Sequence, residues 1–76
     1  MDYEIENQQK SKQVILEITR NRKPEKVIFH ETNDGYAGYL GLYAHFKEGN
    51  VYVGIYRGTV YDRPPYPMPV GMFLKE

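Results

Sequence analysis

The most constraining feature of the sequence is an alternation of side chains through two consecutive segments between Tyr36 and Tyr61. Successive side chains of a β-strand point to opposite faces of the sheet, so the alternation predicts two antiparallel strands joined by a tight turn. The apolar face, which we expect to form the core, carries Leu40, Leu42, Phe46, Val51, Val53 and Ile55. The opposite face, called here the predicted tyrosine face, carries Tyr39, Tyr43, Tyr52 and Tyr56.

Two further strands precede this pair. One run alternates Val14, Leu16 and Ile18 with mostly polar neighbours, and a second run places Val27 and Phe29 on one side. Asn, Pro, Asp and Gly residues separate the runs and supply the turns, because they tolerate or fix the backbone angles that turns need. The four predicted strands are residues 12–20, 25–32, 36–47 and 50–61.

The lengths of the three turns predict which residues face each other. The expected pairs are Ile18 with Val27 across loop 21–24, Phe29 with Leu40 across an Asp34-Gly35 turn, and Leu42 with Ile55 across a Glu48-Gly49 turn. In this register aromatic rings cover strand glycines, which partly restores the packing that glycine lacks: Tyr43 over Gly54, Tyr56 over Gly41 and Tyr39 over Gly58. A Gly49-Asn50 turn is the alternative; it pairs Tyr43 with Tyr56 and keeps the same faces.

No amphipathic helix is available to cover the apolar face, so the sheet must curl on itself, receive the tail or dimerise. We therefore predict an all-β fold, a small antiparallel meander of four to five strands curled into a half-open barrel. Its strand count and short turns resemble SH3-like and OB-like barrels in general architecture, which implies no function. The predicted organisation is a polar arm at 1–11 and a single β domain at 12–76, with a proline-rich connector at 62–69 and a short closing strand at 70–74.

Composition indicates which cellular compartment and which partners to expect. The 76 residues include no cysteine, so neither disulfides nor thiolate zinc ligands stabilise the chain, and we expect a cytoplasmic protein. The amino-terminal residues lack the basic flank and apolar run of a signal peptide, and we expect no membrane association. Ten Lys and Arg balance ten Asp and Glu, so no overall positive charge attracts nucleic acid.

The sequence carries no pattern for catalysis or metal binding. The only serine is Ser11, in the predicted arm, and His30 and His45 have no metal-ligand spacing around them. The glycines near Tyr39 recur inside a strand and are not a nucleotide-binding fingerprint. We therefore expect a non-enzymatic protein without cofactor or metal.

A protein-binding module is the function that the sequence favours, for instance a small inhibitor or adaptor of a phage or mobile element. Tyrosine offers a large rigid contact area with a polar group, and it is enriched in interfaces. The expected partner-binding residues are Tyr39, Tyr43, Tyr52, Tyr56, Arg63 and Tyr66. The last two belong to a PxxP segment that could bind an aromatic groove elsewhere or dock on the tyrosines of this chain. The rings could instead serve only to cover glycines.

Two alternatives stay open. The chain could bind single-stranded nucleic acid, with the tyrosines as stacking platforms and a basic loop as the phosphate contact. The residues of that loop, which could contact phosphates or an acidic partner, are Arg20, Arg22, Lys23 and Lys26. A homodimer could form through an incompletely covered apolar face.

Overall fold

A computed structural model describes residues 8–68, which form one four-stranded antiparallel sheet. The strands are β1 (Ser11–Arg20), β2 (Val27–Glu31), β3 (Ala37–Glu48) and β4 (Val51–Tyr61). Residues 8–68 contain no helix, so the predicted all-β antiparallel class is confirmed, and each strand lies within two residues of its predicted bounds. The sheet does not close, which is compatible with a half-open barrel. The first part of the predicted arm and the closing strand at 70–74 lie outside the described residues.

The order of the strands across the sheet is β1-β4-β3-β2, so the predicted pairing of β1 with β2 is wrong. β1 pairs instead with β4, from Ser11 opposite Tyr61 to Arg20 opposite Tyr52. Residues 21–26 therefore connect one edge of the sheet to the other and are not a tight turn. The alternation of β1 fits any neighbour that presents an apolar face, so the pattern alone could not choose between β2 and β4.

The register of β2 with β3 differs from the prediction by one residue. Ile28 faces Leu40, and Phe29 faces Tyr39. The cause is a longer turn, because Thr32 closes the loop by bonding through its backbone N–H to the Tyr36 carbonyl at 2.7 Å. This one-residue slip turns Phe29 away from the core and brings Ile28 into it.

The register of β3 with β4 contains a β-bulge at Tyr43. Between the turn and the bulge, Glu48 faces Val51 and Ala44 faces Ile55, which is the register of the alternative Gly49-Asn50 turn. Beyond the bulge the register shifts by one, and Leu42 faces Tyr56. After an unpaired extra residue, the side chains of a strand point to the face opposite to the one that strict alternation predicts. Phe46, Val51, Val53 and Ile55 therefore share one face as predicted, but Leu40 and Leu42, predicted on the same face, lie on the opposite side of the sheet with the core.

The core lies on one side of the sheet, called here the core face. Leu40 and Val60 are fully buried and Tyr56 is 3% exposed, while Val53 and Ala37 are buried on the opposite side of the sheet. The half-buried side chains packed against Leu40, Val60 and Tyr56 are Val14, Leu16, Ile18, Ile28, Tyr36 and Leu42. All four strands contribute to this cluster, although β1 and β2 lie at opposite edges. The core is small, as expected for a chain of this length.

Polar contacts close both ends of the core face. At one end the Tyr56 hydroxyl donates to the Glu25 carbonyl at 2.7 Å, and the Leu42 N–H donates to the Lys26 carbonyl at 2.8 Å. At the other end, the Lys12 ammonium lies 2.5 Å from the Asp34 carboxylate and 4.7 Å from the centre of the Tyr36 ring. The hydrogen bond from Lys12 holds the pKa of Asp34 below its usual value, and the Thr32 hydroxyl adds to the effect.

The start of β1 is fixed to the segment that follows β4. The Lys10 N–H donates to the Asp62 carboxylate at 2.9 Å, and the Asp62 N–H donates to the Lys10 carbonyl at 3.0 Å. The bond from Lys10 holds the pKa of Asp62 below its usual value. The Gln9 amide donates to the carbonyls of Arg63 and Pro65, both at 2.6 Å. These bonds extend the β1–β4 pairing beyond the ends of the two strands.

Replacing Gly38 by Ala tests how closely β3 and β4 approach each other. A Cβ atom at Gly38 would lie 2.5 Å from the Thr59 carbonyl oxygen and 3.0 Å from the Val60 Cα, and both are backbone atoms. We expect the substitution to lower the free energy of unfolding by about 1–3 kcal/mol, as overpacking does at other sites. Urea denaturation of the variant and the original chain measures the difference.

Gly35→Asn is the matched control. Gly35 has a φ of +92°, and nothing lies within 4 Å of the position of its Cβ. Since Asn tolerates positive φ better than other side chains do, this variant should lose less than about 1 kcal/mol. Equal losses in the two variants would contradict the close-approach explanation.

Candidate functional site

The side of the sheet opposite the core, called here the outer face, carries an unusual amount of exposed apolar surface. β4 places Ile55 and Arg57 there, together with Val53, which is itself buried, since these residues alternate with the buried Tyr56. Every large hydrophobic side chain that is exposed within residues 8–68 lies on this face: Ile15, Phe29, Tyr43, Phe46 and Met68. Contiguous exposed apolar patches mark interaction sites more often than isolated exposed residues do.

An arginine packed on a tyrosine occupies the middle of the outer face. The Cζ atom of Arg57 lies 3.9 Å from the centre of the Tyr43 ring, and the ring is 57% exposed. The bulge produces this contact, because it leaves Tyr43 unpaired on the same side as Arg57. A guanidinium stacked on a ring keeps its N–H groups available and is held in place before any partner arrives.

A second aromatic group lies nearer to β2. The Phe29 and Tyr39 rings meet edge to face with centres 5.0 Å apart, and Tyr66 adds a third ring 5.5 Å from Phe29. Pro67 and Met68 line a groove with Tyr39 and residues of β4. The proline-rich segment, whose Pro64–Pro65 bond is cis, therefore docks on the aromatic side chains of its own sheet through residues 66–68.

The structure separates the four residues of the predicted tyrosine face. Tyr39 and Tyr43 lie on the outer face, whereas Tyr56 belongs to the core, so their predicted common face is wrong. The bulge is the physical reason, because it moves Tyr56 to the side of Leu42. A ring does cover a glycine in β4, but on the core face: the Tyr56 Cε1 lies 3.0 Å from the position that a Cβ of Gly54 would take.

Tyr52 lies at the end of the sheet where the basic loop crosses. One cleft there is lined by Ile18, Arg20, Arg22, Pro24, Tyr52 and Tyr56. The adjoining groove, of about 280 Å³, is lined by Lys23, Pro24, Lys26, Leu42, His45 and Tyr52. The Lys47 ammonium lies 5.4 Å from the centre of the Tyr52 ring. The structure thus brings the four predicted phosphate contacts together around one tyrosine, which we call the basic end.

Charge distinguishes the two candidate surfaces. By strand alternation the outer face carries one basic side chain, Arg57, and three acidic ones, Glu17, Glu31 and Glu48. The basic end has its four cations beside a single loop carboxylate, Glu25. A polyanion would therefore meet net repulsion on the outer face and attraction at the basic end. Arg63, a predicted partner contact, pairs with Asp62 at 3.2 Å.

Searches for other kinds of site give few findings. Within residues 8–68, no group of three or more His, Asp or Glu side chains could hold a metal ion. The same residues include no helix that is long and apolar enough to cross a membrane. Comparison with protein-family models, with curated proteins and with solved structures gives no match.

Sequence reasoning missed much of the outer face. It assigned Phe29 and Phe46 to the core, gave Ile15 no contact role and did not place Arg57 beside Tyr43. Ile15 could have been found, since it alternates with the core residues of β1 and is apolar where a solvent-facing position is expected to be polar. The position of Arg57 next to Tyr43 could not, because it depends on the bulge.

Replacing Tyr56 by Phe tests its buried hydroxyl. Burial raises the pKa of Tyr56 above its ordinary value of 10, and the charge of Arg20 opposes the effect only in part. Because the pKa is raised in the folded state, the neutral hydroxyl of Tyr56 favours the folded chain. Its contribution to the free energy of unfolding is complete below pH 10 and is lost as pH rises through the raised pKa. We expect the original chain to lose stability steeply in that range and Tyr56→Phe to lose it less steeply.

Urea denaturation at a series of alkaline pH values measures this slope. Tyr43→Phe is the control, because it removes a hydroxyl from an exposed ring and should keep the original pH dependence. If Tyr56→Phe also kept that dependence, the buried hydroxyl would not be the group responsible.

Proposed function

We propose that the protein is a non-catalytic protein-binding module whose partner covers the outer face. The observation that carries this proposal is the concentration of all exposed large hydrophobic side chains of residues 8–68 on one side of the sheet. Fully burying a Phe or Ile side chain stabilises a complex by about 1.5–3 kcal/mol relative to leaving it in water. Ile15, Phe29 and Phe46 are such side chains, and Tyr43 and Met68 add to the exposed area, so covering this surface supplies a driving force for association.

The composition of the surface supports a protein partner. Tyr, Phe, Met and Arg are the residue types enriched at the centres of protein interfaces, and charged residues are depleted there. On the outer face the stacked pair of Tyr43 and Arg57 lies among apolar neighbours, and the acidic side chains lie toward its margins. Tyr and Arg are also the residues most often found to dominate binding energy.

A partner of this face would be held by area and shape. A small inhibitor or adaptor, for instance one from a phage or mobile element, would act in this way by covering a functional surface of a larger protein. The docked residues 66–68 enlarge the surface beside Phe29, so Tyr66 contributes to binding partly by holding that ring.

Alanine substitution of Tyr43 tests the outer face. The variant removes the exposed ring and leaves Arg57 unsupported, and we expect it to weaken partner binding by about 2 kcal/mol or more, the usual size of a dominant contact. The measurement uses the purified chain as bait in extracts of its source cell, followed by titration of the captured partner.

Tyr52→Ala is the matched control, since it removes the same ring type at the basic end. The expected pattern is one partner that Tyr52→Ala retains and Tyr43→Ala loses, with both variants giving the original far-ultraviolet spectrum. A partner retained by Tyr43→Ala and by Phe46→Ala would place the interface elsewhere.

Binding of single-stranded nucleic acid is a second candidate, and it rests on the basic end. Four cations surround Tyr52 there, and a ring beside a basic groove is the arrangement that stacks a base while its phosphates are neutralised. The stacking residue would be Tyr52 alone, because the other predicted platforms lie on the outer face or in the core.

Short single-stranded oligonucleotides test this candidate. Affinity should fall steeply with salt, and Tyr52→Ala should lose about 1–3 kcal/mol, whereas Tyr43→Ala should bind like the original chain. Fluorescence anisotropy over a range of salt concentrations measures both effects. Absence of binding at low salt would end the candidate.

A further inference from the structure

β1 is a long edge strand that carries the most exposed apolar side chain of the described residues. It has ten residues, and within residues 8–68 only β4 pairs with it. Ile15, at its middle, is 75% exposed. Long, flat edges with apolar side chains are templates for pairing with another strand, and proteins usually shorten or charge them. β2, the other edge, has only five residues.

The backbone of β1 shows which groups face outward. Lys10 directs both its N–H and its carbonyl toward Asp62, beyond the end of β4. Because these groups alternate in direction along an antiparallel strand, the even-numbered residues of β1 bond to β4. The odd-numbered residues, Ser11, Gln13, Ile15, Glu17 and Thr19, therefore present their N–H and carbonyl groups at the open edge.

We propose that the open edge of β1 pairs with the same edge of a second copy of this chain, antiparallel and centred on Ile15. The twofold axis would pass between the two Ile15 residues, which would exchange two backbone hydrogen bonds. Gln13 would face Glu17 of the other copy, and Val14 would face Leu16. The result is a continuous eight-stranded sheet. This inference does not depend on the proposed function.

The sequence of β1 favours a copy of itself in this register. Ile15 meets Ile15 on the outer face, where it would otherwise stay in water, and the Gln13 amide can donate to the Glu17 carboxylate. On the core face, Val14 and Leu16 pair twice by symmetry and join the two apolar cores. Apolar and hydrogen-bonding pairs of this kind stabilise antiparallel strands.

Neighbouring registers are less favourable. If the centre of the pairing moves by one residue toward the carboxyl end, to Leu16, Ile15 faces Glu17 and Lys12 faces Arg20. The opposite shift sets Ile15 against Gln13 and Lys12 against Leu16. In the register centred on Ile15, the one pair of like charges is Lys10 with Arg20, and it falls at the outer ends of the pairing where water screens it.

Single cysteines test the register directly, because the chain has none of its own. Residues in a hydrogen-bonded antiparallel pair have Cα atoms about 5.5 Å apart, within the range that a disulfide spans. Under mild oxidation, Ile15→Cys should give a covalent dimer. Gln13→Cys and Glu17→Cys should not cross-link alone, since like positions lie more than about 10 Å apart. A mixture of these two variants should give the mixed dimer.

Sedimentation measurements then test the dimer without cross-linking. We expect the original chain to form dimers, Ile15→Lys to be monomeric and Phe46→Lys to remain dimeric. Phe46 is the matched control, because it is an exposed apolar residue of the outer face away from the edge. The far-ultraviolet spectrum and urea stability of Ile15→Lys show whether it still folds.

Three outcomes would overturn the proposal. A monomeric original chain at high concentration would leave no second copy on the edge. Dissociation by both lysine variants would place the dimer contact on the outer face. Cross-linking of Gln13→Cys or Glu17→Cys with itself would fix a different register. A monomeric chain or a different register leaves partner binding through Tyr43 unaffected, so the two proposals can fail independently.

Discussion

The β-bulge at Tyr43 is the feature on which both faces of the sheet depend. It is a single extra residue in β3, and it reverses which of the alternating β3 side chains share a face with a given β4 side chain. Leu42 then meets Tyr56 and Leu40 joins Val60, so the core forms from residues that strict alternation would have kept apart. Tyr43 itself is left on the other side, against Arg57. Bulges frequently redirect one side chain in this way near a functional surface.

The eight tyrosines of this small chain illustrate how context assigns a role to one residue type. Tyr56 fills the core and uses its hydroxyl to hold the crossing segment at Glu25. Tyr36 closes the opposite end beneath Lys12. Tyr43 is exposed next to a guanidinium, and Tyr52 lies among the cations of the basic end. An aromatic side chain with a polar end suits each of these positions, so counting tyrosines could not distinguish them.

The sequence was sufficient for the class of fold and for the strands, since two-residue periodicity and turn residues are local signals. It was not sufficient for pairing. Thr32 lengthens one turn, Tyr43 adds one residue to a strand, and the neighbour of β1 lies far away along the chain. Alternation encodes none of these departures, and each of the first two moves an entire set of side chains to the other face. The basic residues are recognisable as a cluster in the sequence, while their approach to Tyr52 required the crossing of residues 21–26.

The pairing of β1 with β4 also bears on the route by which the chain folds. β2, β3 and β4 follow one another and can associate through two short connections, whereas β1 must find a strand whose contacts, such as Gln13 with Thr59, are 46 residues away. Closing so large a loop is entropically costly and slow compared with forming a hairpin. A three-stranded intermediate would present the bare edge of β4 to solvent until β1 arrives. During synthesis β1 leaves the ribosome first and waits for β4, which emerges last of the strands.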